Sequence, residues 1–193
     1  MSVSTTTSAG RPRDPRIDEA VLAATRELLV EVGYAALTYE RVAQRAGATR
    51  PAIYRRWPSK AHLVHDAVFP DLGQDPVPAT GSFADDLRAM IARTLRSYAR
   101  PEARVAVAGL LADLDDPERR RTVVDGLQDQ VRAQLAARVL RAEADGELRP
   151  GVDADLLLDT YVGALIHRVI ARQSDDPGFA DDLAGLLLRG VQA

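Results

Sequence analysis

Cysteine is absent from this sequence, and its absence removes several kinds of chemistry at once. Disulfide bonds, thiolate metal sites, thiol redox sensing and cysteine nucleophiles are all excluded. Apolar runs are short as well: the longest, residues 105–112, is far below the roughly 20 residues that cross a bilayer. Residues 1–10 are rich in Ser and Thr and lack the basic and apolar segments of a signal peptide. We therefore expect a soluble, cytoplasmic protein without a membrane partner.

The residue patterns of common enzyme sites are also missing. The chain has no glycine-rich phosphate loop, no nucleophile elbow and no Glu-x-x-His pair of a di-iron bundle. His62, His65 and Asp66 are spaced to share a metal ion, but two histidines three residues apart more often lie on a solvated or inter-domain face. His167 fits a dimer contact or a core position better than a ligand role. We predict no enzyme activity, no metal and no cofactor.

Charge is distributed unevenly along the chain, although the net charge is only −3. Residues 1–69 contain ten Lys or Arg against seven Asp or Glu, whereas residues 70–193 contain fifteen against twenty-one. Between Arg41 and His65 there are six basic residues and no acidic one. A basic first third followed by an acidic remainder is typical of a nucleic-acid-binding module joined to a second domain. A solvated basic face is the simpler alternative.

Helical periodicity dominates the sequence, and no run of strand-like alternation stands out. We predict an all-α fold of about nine helices, with an N-terminal three-helix helix-turn-helix domain and a C-terminal helical bundle for ligand binding and dimerisation. The predicted helices cover, approximately, residues 16–32, 39–46, 50–57, 60–69, 83–100, 103–113, 116–145, 153–173 and 179–191. The helix 103–113 is apolar nearly all round, which predicts that it is buried.

The predicted domain boundaries follow the composition. Residues 1–14 form a disordered arm, residues 15–69 the helix-turn-helix domain, and residues 83–193 the effector-binding and dimerisation domain. Residues 70–82 contain three prolines and two glycines and are assigned as the linker.

Two predicted helices, 39–46 and 50–57, meet at Gly47 and Ala48 in the manner of a helix-turn-helix. Arg50 and Lys60 each lie in the first turn of a predicted helix, where the helix dipole disfavours a cation by roughly 0.3–1 kcal/mol. A phosphate bound at the same helix end would offset this cost. Lys60 is also the only lysine, beside twenty-four arginines, and its position fits a phosphate clamp.

The stretch from Leu37 to Lys60 resembles the DNA-binding domain of the tetracycline-repressor (TetR) family. The resemblance extends over about residues 16–69 and is most specific at Thr38, Ala43, Ala46, Gly47, Tyr54, Trp57, Ser59, Lys60 and Leu63. Two positions depart from the family pattern, because Pro51 replaces a common Gly and Trp57 replaces the usual Phe. The remaining two thirds of the chain resembles the family in length and helix order only.

The resemblance implies a dimeric, ligand-responsive transcription factor, most often a repressor, that binds an inverted-repeat operator in double-stranded DNA. It assigns Tyr54 and Lys60 to DNA phosphates, and Thr38 to the cap of helix 39–46 and to the DNA backbone. It places four residues in the major groove, namely Thr49, Arg50, Pro51 and Arg55.

Base reading is expected from at least one of Arg50 and Arg55, through a bidentate contact with guanine worth about 1–3 kcal/mol of discrimination. Arg45 and Arg56 are expected to meet phosphates or solvent. Arg11 and Arg13 either reach an adjacent minor groove or form a solubilising tail, and the second role is the commoner one.

The acidic two thirds carries the expected dimer interface and effector pocket. Helix 153–173 has two apolar sides, so it is expected to pack against its own core and against a partner at once. With helix 179–191 it predicts a four-helix interface across a two-fold axis. The residues concerned are Leu158, Val162, Leu165 and Val169 on one side, Leu156, Gly163 and Ile170 on the other, and Leu183, Leu186, Leu187 and Gly190 in the last helix. The candidate effector contacts are Met90, Thr94, Tyr98, Gln134, Arg138 and Tyr161. Aromatic residues are few in this part of the chain, which favours an apolar or lipid-like effector.

Effector binding is expected to move helix 83–100, and with it helix 60–69 and Lys60, and so to change the separation of the two reading helices. Two other interpretations of the function stay open at this point. One is a helical small-molecule-binding or protein-adaptor bundle without DNA function, and the other is an enzyme on a helical scaffold. A protein that clamps phosphates loses DNA affinity steeply with salt, which distinguishes it from both.

Overall fold

The computed structural model describes residues 15–70, 80–121 and 129–192, and over these ranges the protein is all-α, as predicted. The helices are α1 (Pro15–Ala36), α2 (Tyr39–Ala46), α3 (Arg50–Tyr54), α4 (Lys60–Val68), α5 (Phe83–Ala99), α6 (Pro101–Ala112), α7 (Pro117–Arg120), α8 (Asp129–Ala144), α9 (Ala154–Ile166) and α10 (Gly178–Val191). The expected arm, most of the linker and part of the predicted helix 116–145 lie outside the described residues. None of the helices within these ranges is long and apolar enough to cross a membrane.

Caps and breakers set the boundaries of the N-terminal helices where the sequence predicted them. Thr38 Oγ1 accepts a hydrogen bond from the Arg41 amide at 3.3 Å, and Ser59 Oγ accepts one from the His62 amide at 3.3 Å. Gly47 ends α2 in the left-handed region, at a φ of 63°. Gly33, with a φ of 79° and a ψ of 168°, interrupts α1 at the predicted end of the first helix, and a last turn continues to Ala36.

Helix α3 is shorter than predicted, because it ends at Tyr54 and not at Trp57. The chain tightens in this last turn, where the Arg56 and Trp57 amides both donate to the Ile53 carbonyl, at 3.0 and 2.9 Å. Pro58 then follows directly and cannot extend the helix. Ile53 and Trp57 stay buried, so the C-terminal end of α3 remains attached to the domain core.

The C-terminal body is arranged around α5, which packs against α6, α8, α9 and α10. The buried residues of α5 are Phe83, Asp86, Leu87, Met90, Ile91, Leu95 and Tyr98. Helix α6, by contrast, is not buried all round as predicted. It buries Ala103, Ala106, Val107 and Leu110 and leaves Ala108 and Leu111 exposed, because only one of its sides faces α1, α4 and α5.

The predicted helix 153–173 is divided in the structure. Asp153 caps α9 by accepting hydrogen bonds from the Asp155 and Leu156 amides, at 2.9 and 3.0 Å. After Ile166 the backbone widens into one π-helical turn, His167–Ala171. Gln173 follows with a φ of 52°, which ends the helical path.

A buried group of charges joins the start of α5 to α8. Arg138 Nε lies 2.6 Å from Asp86 Oδ2, and its Nη2 lies 3.2 Å from Glu147 Oε1. Asp86, only 1% exposed, also accepts hydrogen bonds from the Thr80 amide and hydroxyl, at 2.7 and 2.8 Å. Burial raises the pKa of the Asp86 carboxyl, but the hydrogen bonds from Thr80 and Arg138 outweigh burial and hold the pKa below its usual range.

We expect Arg138→Ala to lower the free energy of unfolding by about 3–5 kcal/mol, because it leaves the Asp86 carboxylate buried without its cation. Arg141→Ala is the matched control on the same helix, since the Arg141 side chain is 80% exposed and lies 3.9 Å from Asp145. That change should cost less than about 1 kcal/mol. Urea unfolding followed by circular dichroism measures both, and equal losses in the two variants would contradict a structural role for the Asp86–Arg138 pair.

Candidate nucleic-acid interface

A stacked pair of tyrosines holds α3 against α2. The rings of Tyr39 and Tyr54 lie 4.0 Å apart between centroids, with an interplanar angle of 21°. The Tyr39 hydroxyl donates to the carbonyl of the buried Trp57 at 2.8 Å. Burial, with a further effect of Tyr54, raises the pKa of Tyr39 to about 12, so this hydroxyl stays protonated as the donor. The stack therefore holds α3 against α2 at the C-terminal end of α3, where Tyr54 lies.

The outer face of α3 and its flanks is exposed and basic. Thr38, Thr49, Arg50, Pro51, Tyr54 and Arg55 are all exposed. Arg50 is oriented from two sides: its Nη1 lies 2.8 Å from Glu40 Oε1, and its guanidinium carbon lies 6.0 Å from the centre of the Tyr54 ring. The structure thus brings the sequence-predicted groove residues to one surface.

Lys60 occupies a different environment from the other predicted DNA contacts. It is half-buried, and its Nζ lies 4.0 Å from the centre of the Tyr34 ring. The Tyr34 hydroxyl in turn donates to Asp113 Oδ2 at 2.6 Å. Lys60 therefore lies where α1 and α4 meet the end of α6.

Two other arginines of the basic segment form ion pairs with acids of α1. Arg45 lies 3.1 Å from Glu27 Oε2 and 2.7 Å from Glu31 Oε2, and Arg56 forms an ion pair with Asp18. All three acids belong to α1, which packs along α2. Both arginines thus form ion pairs within the domain that the sequence pattern did not indicate, and Arg45 is exposed as well.

The histidines of α4 are each engaged locally. Asp66 accepts from Trp57 Nε1 at 3.0 Å and lies 3.3 Å from His65 Nδ1, and His62 Nδ1 lies 2.8 Å from Ser59 Oγ. The contacts with His65 and then with Trp57, against the effect of burial, lower the pKa of the Asp66 carboxyl. In the parts of the chain that the structure describes, no three His, Asp or Glu side chains come together as metal ligands.

Four of the predicted effector residues form one cluster between α5 and α9. Met90, Tyr98 and Tyr161 are buried, and Thr94 Oγ1 donates to the Met90 carbonyl at 3.0 Å. Burial raises the pKa of Tyr98 to about 12. Burial and the neighbouring Tyr98 also raise the pKa of Tyr161, against smaller opposing effects of Arg93 and Thr94.

The other two predicted effector residues lie on α8. Arg138 is bound by Asp86 and Glu147, so its guanidinium has a structural role that the sequence pattern did not indicate. Gln134 is half-buried on the same helix.

A groove of about 250 Å³ lies between α9 and α10, lined by Leu156, Leu157, Thr160, Leu186, Leu187 and Gly190 among others. Leu156 and Leu186 are 64% and 61% exposed. Leu158, Leu165, Val169 and Leu183 are buried in the protomer, so these four belong to its own core and not to the exposed side. Ile170 lines a second groove of about 400 Å³ instead, between α6 and the π-helical turn.

Sequence reasoning missed Tyr34, Tyr39 and Glu40, which orient the predicted contact residues. A weak signal existed for Tyr34 alone: Gly109 interrupts an otherwise apolar stretch of α6, and a methyl group there would overlap the Tyr34 ring. No spacing rule indicates the partners of Tyr39 and Glu40, because both lie across the turn between α2 and α3.

Two short helices joined at a glycine turn, with an exposed basic helix and a helical body, define a helix-turn-helix DNA-binding protein. Residues 21–67 match the family model of the bacterial regulatory proteins of the tetR family, and residues 77–187 match the tetracyclin repressor-like C-terminal domain. The chain therefore belongs to the TetR family of transcriptional regulators.

Relatives agree with this assignment. The HTH-type transcriptional regulator Rv1556 of Mycobacterium tuberculosis is 35% identical over 182 residues, which cover 88% of this chain and 86% of the relative. The crystal structure of the TetR family transcription regulator SCO0332 has a TM-score of 0.68 and 32% identity, covering 92% of this chain and 100% of the other. The structure of FadR from Bacillus subtilis in complex with stearoyl-CoA shares the fold, with a TM-score of 0.72 at 16% identity, over 90% of this chain and 99% of the other.

Proposed function

We propose that this regulator is a dimeric repressor that acts in the cytoplasm, binds an inverted-repeat operator and leaves it when a small-molecule effector binds. Residues 15–69 form the DNA-binding domain, and residues 83–193 bind the effector and form the dimer. The observation that carries the proposal is the exposed basic surface of α3, which the tyrosine stack fixes to the core.

The DNA contacts are assigned by exposure and position. Arg50 and Pro51 of α3 and Arg55 directly after it are exposed, and they enter the major groove together with Thr49. Thr38 and the half-exposed Tyr54 contact the phosphate backbone on either side. Lys60 meets a phosphate at the N-terminus of α4, where the free helix amides also favour an anion.

Dimerisation places two such surfaces on successive major grooves, about 34 Å apart. The exposed Leu156 and Leu186 on either side of the groove between α9 and α10 support an interface there. Paired with its two-fold copy, this surface gives a four-helix contact.

The effector binds between α5 and α9, at the cluster of Met90, Thr94, Tyr98 and Tyr161. An apolar molecule suits this site, since apolar side chains dominate the buried surface of both helices. The FadR structure, which has the same fold, contains stearoyl-CoA and thus supports a lipid-like effector.

Contacts at both ends of α4 carry a displacement of α5 or α6 to the DNA-binding domain. The ring of Phe69, at the end of α4, lies 5.6 Å from the Tyr98 ring, and the Arg100 guanidinium donates to the Val68 carbonyl. At the other end of α4, Lys60 contacts Tyr34, which packs on Gly109 of α6. The expected movement of α5 therefore has a second route, through α6.

Selection from a random duplex library tests DNA binding directly. We expect the wild-type protein to enrich an inverted repeat and the Tyr54→Ala, Lys60→Ala double variant to enrich none. Lys60→Ala alone should weaken all sequences alike and reduce the slope of log affinity against log salt by about 1. Arg141→Ala, a charge loss outside the DNA-binding domain, should leave that slope unchanged.

A folded wild-type protein that selects no sequence, at low salt and with no bound small molecule in native mass spectrometry, would contradict the proposed function. That result would favour the alternative hypothesis of a helical small-molecule-binding or protein-adaptor bundle without DNA function.

Leu186→Asp should convert the dimer into a monomer, because it places a carboxylate in the centre of the apolar contact. Analytical ultracentrifugation at micromolar concentration measures the change. Leu140→Asp is the control, since Leu140 is 67% exposed on α8 and does not line the groove. A Leu186→Asp variant that stays dimeric would exclude this interface.

Gly109→Ala should lower operator affinity and cost about 1–3 kcal/mol of unfolding free energy, because the added methyl group displaces Tyr34 from beneath Lys60. Gly185→Ala is the control, since its methyl group meets only the end of the Arg189 side chain, at 3.7 Å. Fluorescence anisotropy with the selected operator measures affinity, and urea unfolding measures stability. Unchanged affinity in Gly109→Ala would remove the route through α6.

A further inference from the structure

We propose that Glu40 determines sequence specificity by positioning the Arg50 guanidinium for a guanine edge. This inference rests on the proposed function, because it needs α3 in the major groove. Glu40 is not one of the predicted DNA contacts, and it is an acidic residue on an otherwise basic surface.

The geometry places Glu40 between the two helices of the motif. Glu40 lies in the first turn of α2, and its Oε1 is 2.8 Å from Nη1 of Arg50, in the first turn of α3. The two side chains are 56% and 52% exposed, so the pair lies on the open, DNA-facing side. One ion pair therefore bridges the helix that meets the backbone and the helix that reads the bases.

Arg50 is restrained from a second direction by the tyrosine stack. Its guanidinium carbon lies 6.0 Å from the Tyr54 ring centre, and Tyr54 is stacked on Tyr39 at 4.0 Å. Tyr39 is itself hydrogen-bonded to the carbonyl of Trp57 in the core. Glu40 and Tyr54 together hold a long side chain that would otherwise sample many rotamers.

This arrangement leaves two N–H donors of Arg50 available to bind a base. A guanidinium presents its Nε–H and one Nη2–H in parallel, which match N7 and O6 of guanine. Glu40 takes Nη1, on the other side of the group. An exposed ion pair adds little stability, so the value of the contact lies in ordering Arg50 before it meets DNA.

The Glu40 carboxylate also lowers the affinity for DNA of any sequence. A hydrogen bond from its own backbone amide, against burial and aided by Thr38 and Arg50, lowers the pKa of the Glu40 carboxyl. Glu40 is therefore ionised at neutral pH and repels every phosphate backbone, whatever the sequence. Glu40 therefore lowers the affinity for all DNA sequences and raises the discrimination at one base pair.

The test compares binding to the selected operator and to operators altered at one base pair. Arg50→Ala identifies the base pair that Arg50 reads, as the position where discrimination, roughly 5- to 150-fold for a bidentate contact, is lost. Glu40→Ala should reduce discrimination at that same base pair by about three-fold or more, while affinity for unrelated DNA stays equal or rises. Glu40→Gln, which keeps an oxygen acceptor for Nη1, should give an intermediate value.

The double variant and a matched control decide between positioning and a structural effect. Adding Glu40→Ala to Arg50→Ala should remove no further discrimination, since both act through one contact. Glu31→Ala breaks a comparably exposed pair, that with Arg45 at 2.7 Å, and should leave discrimination unchanged.

The outcomes distinguish a failure of the Glu40 inference from a failure of the proposed function. Full discrimination in Glu40→Ala, or an Arg50→Ala variant that discriminates like wild type, overturns this inference and leaves the proposed function standing. Wild-type protein without any sequence preference overturns both. Equal losses in Glu40→Ala and Glu31→Ala, with circular dichroism showing both folded, also overturn the positioning role.

Discussion

The packing of Tyr34 on Gly109 is the contact on which the relation between the two halves of this regulator depends. Tyr34 follows the break in α1 at Gly33, so its ring leaves the path of the helix and reaches α6. A glycine is required opposite the ring, because any side chain would overlap it. Lys60 Nζ lies 4.0 Å from the centre of the same ring, and the Tyr34 hydroxyl donates to Asp113. One aromatic side chain thus connects α1, α4 and α6, and α4 cannot shift at its N-terminus without changing this contact.

The tyrosine stack provides the corresponding rigidity on the DNA side. Helix α3 is only five residues long and would not be stable alone. Its orientation comes from Ile53 and Trp57 in the core and from Tyr54 on Tyr39. A short helix anchored at its C-terminal end can present polar side chains in a fixed orientation while contributing little burial of its own. This explains why basic and exposed residues are tolerated on most of its surface.

The sequence predicted those features that depend on neighbours along the chain. The caps at Thr38 and Ser59 and the breaks at Gly33 and Gly47 follow from local backbone chemistry, and the structure confirms them. The partners of Arg45, Arg56 and Arg138 were not predictable in this way. Each is bound by an acid on another helix or turn, and which acid is near depends on how the helices pack. The same reason hid Glu40, which lies ten residues from Arg50 and across a turn.

Lys60 is the only lysine in 193 residues, so its amine is the sole side-chain amine of the chain. The structure places this one group over an aromatic ring, at the junction between the DNA-binding helices and the body. Acylating reagents that act on side-chain amines therefore address a single, functionally informative position without any engineering. Because Lys60 is half-buried, its reaction rate depends on how far its side chain is exposed at that junction.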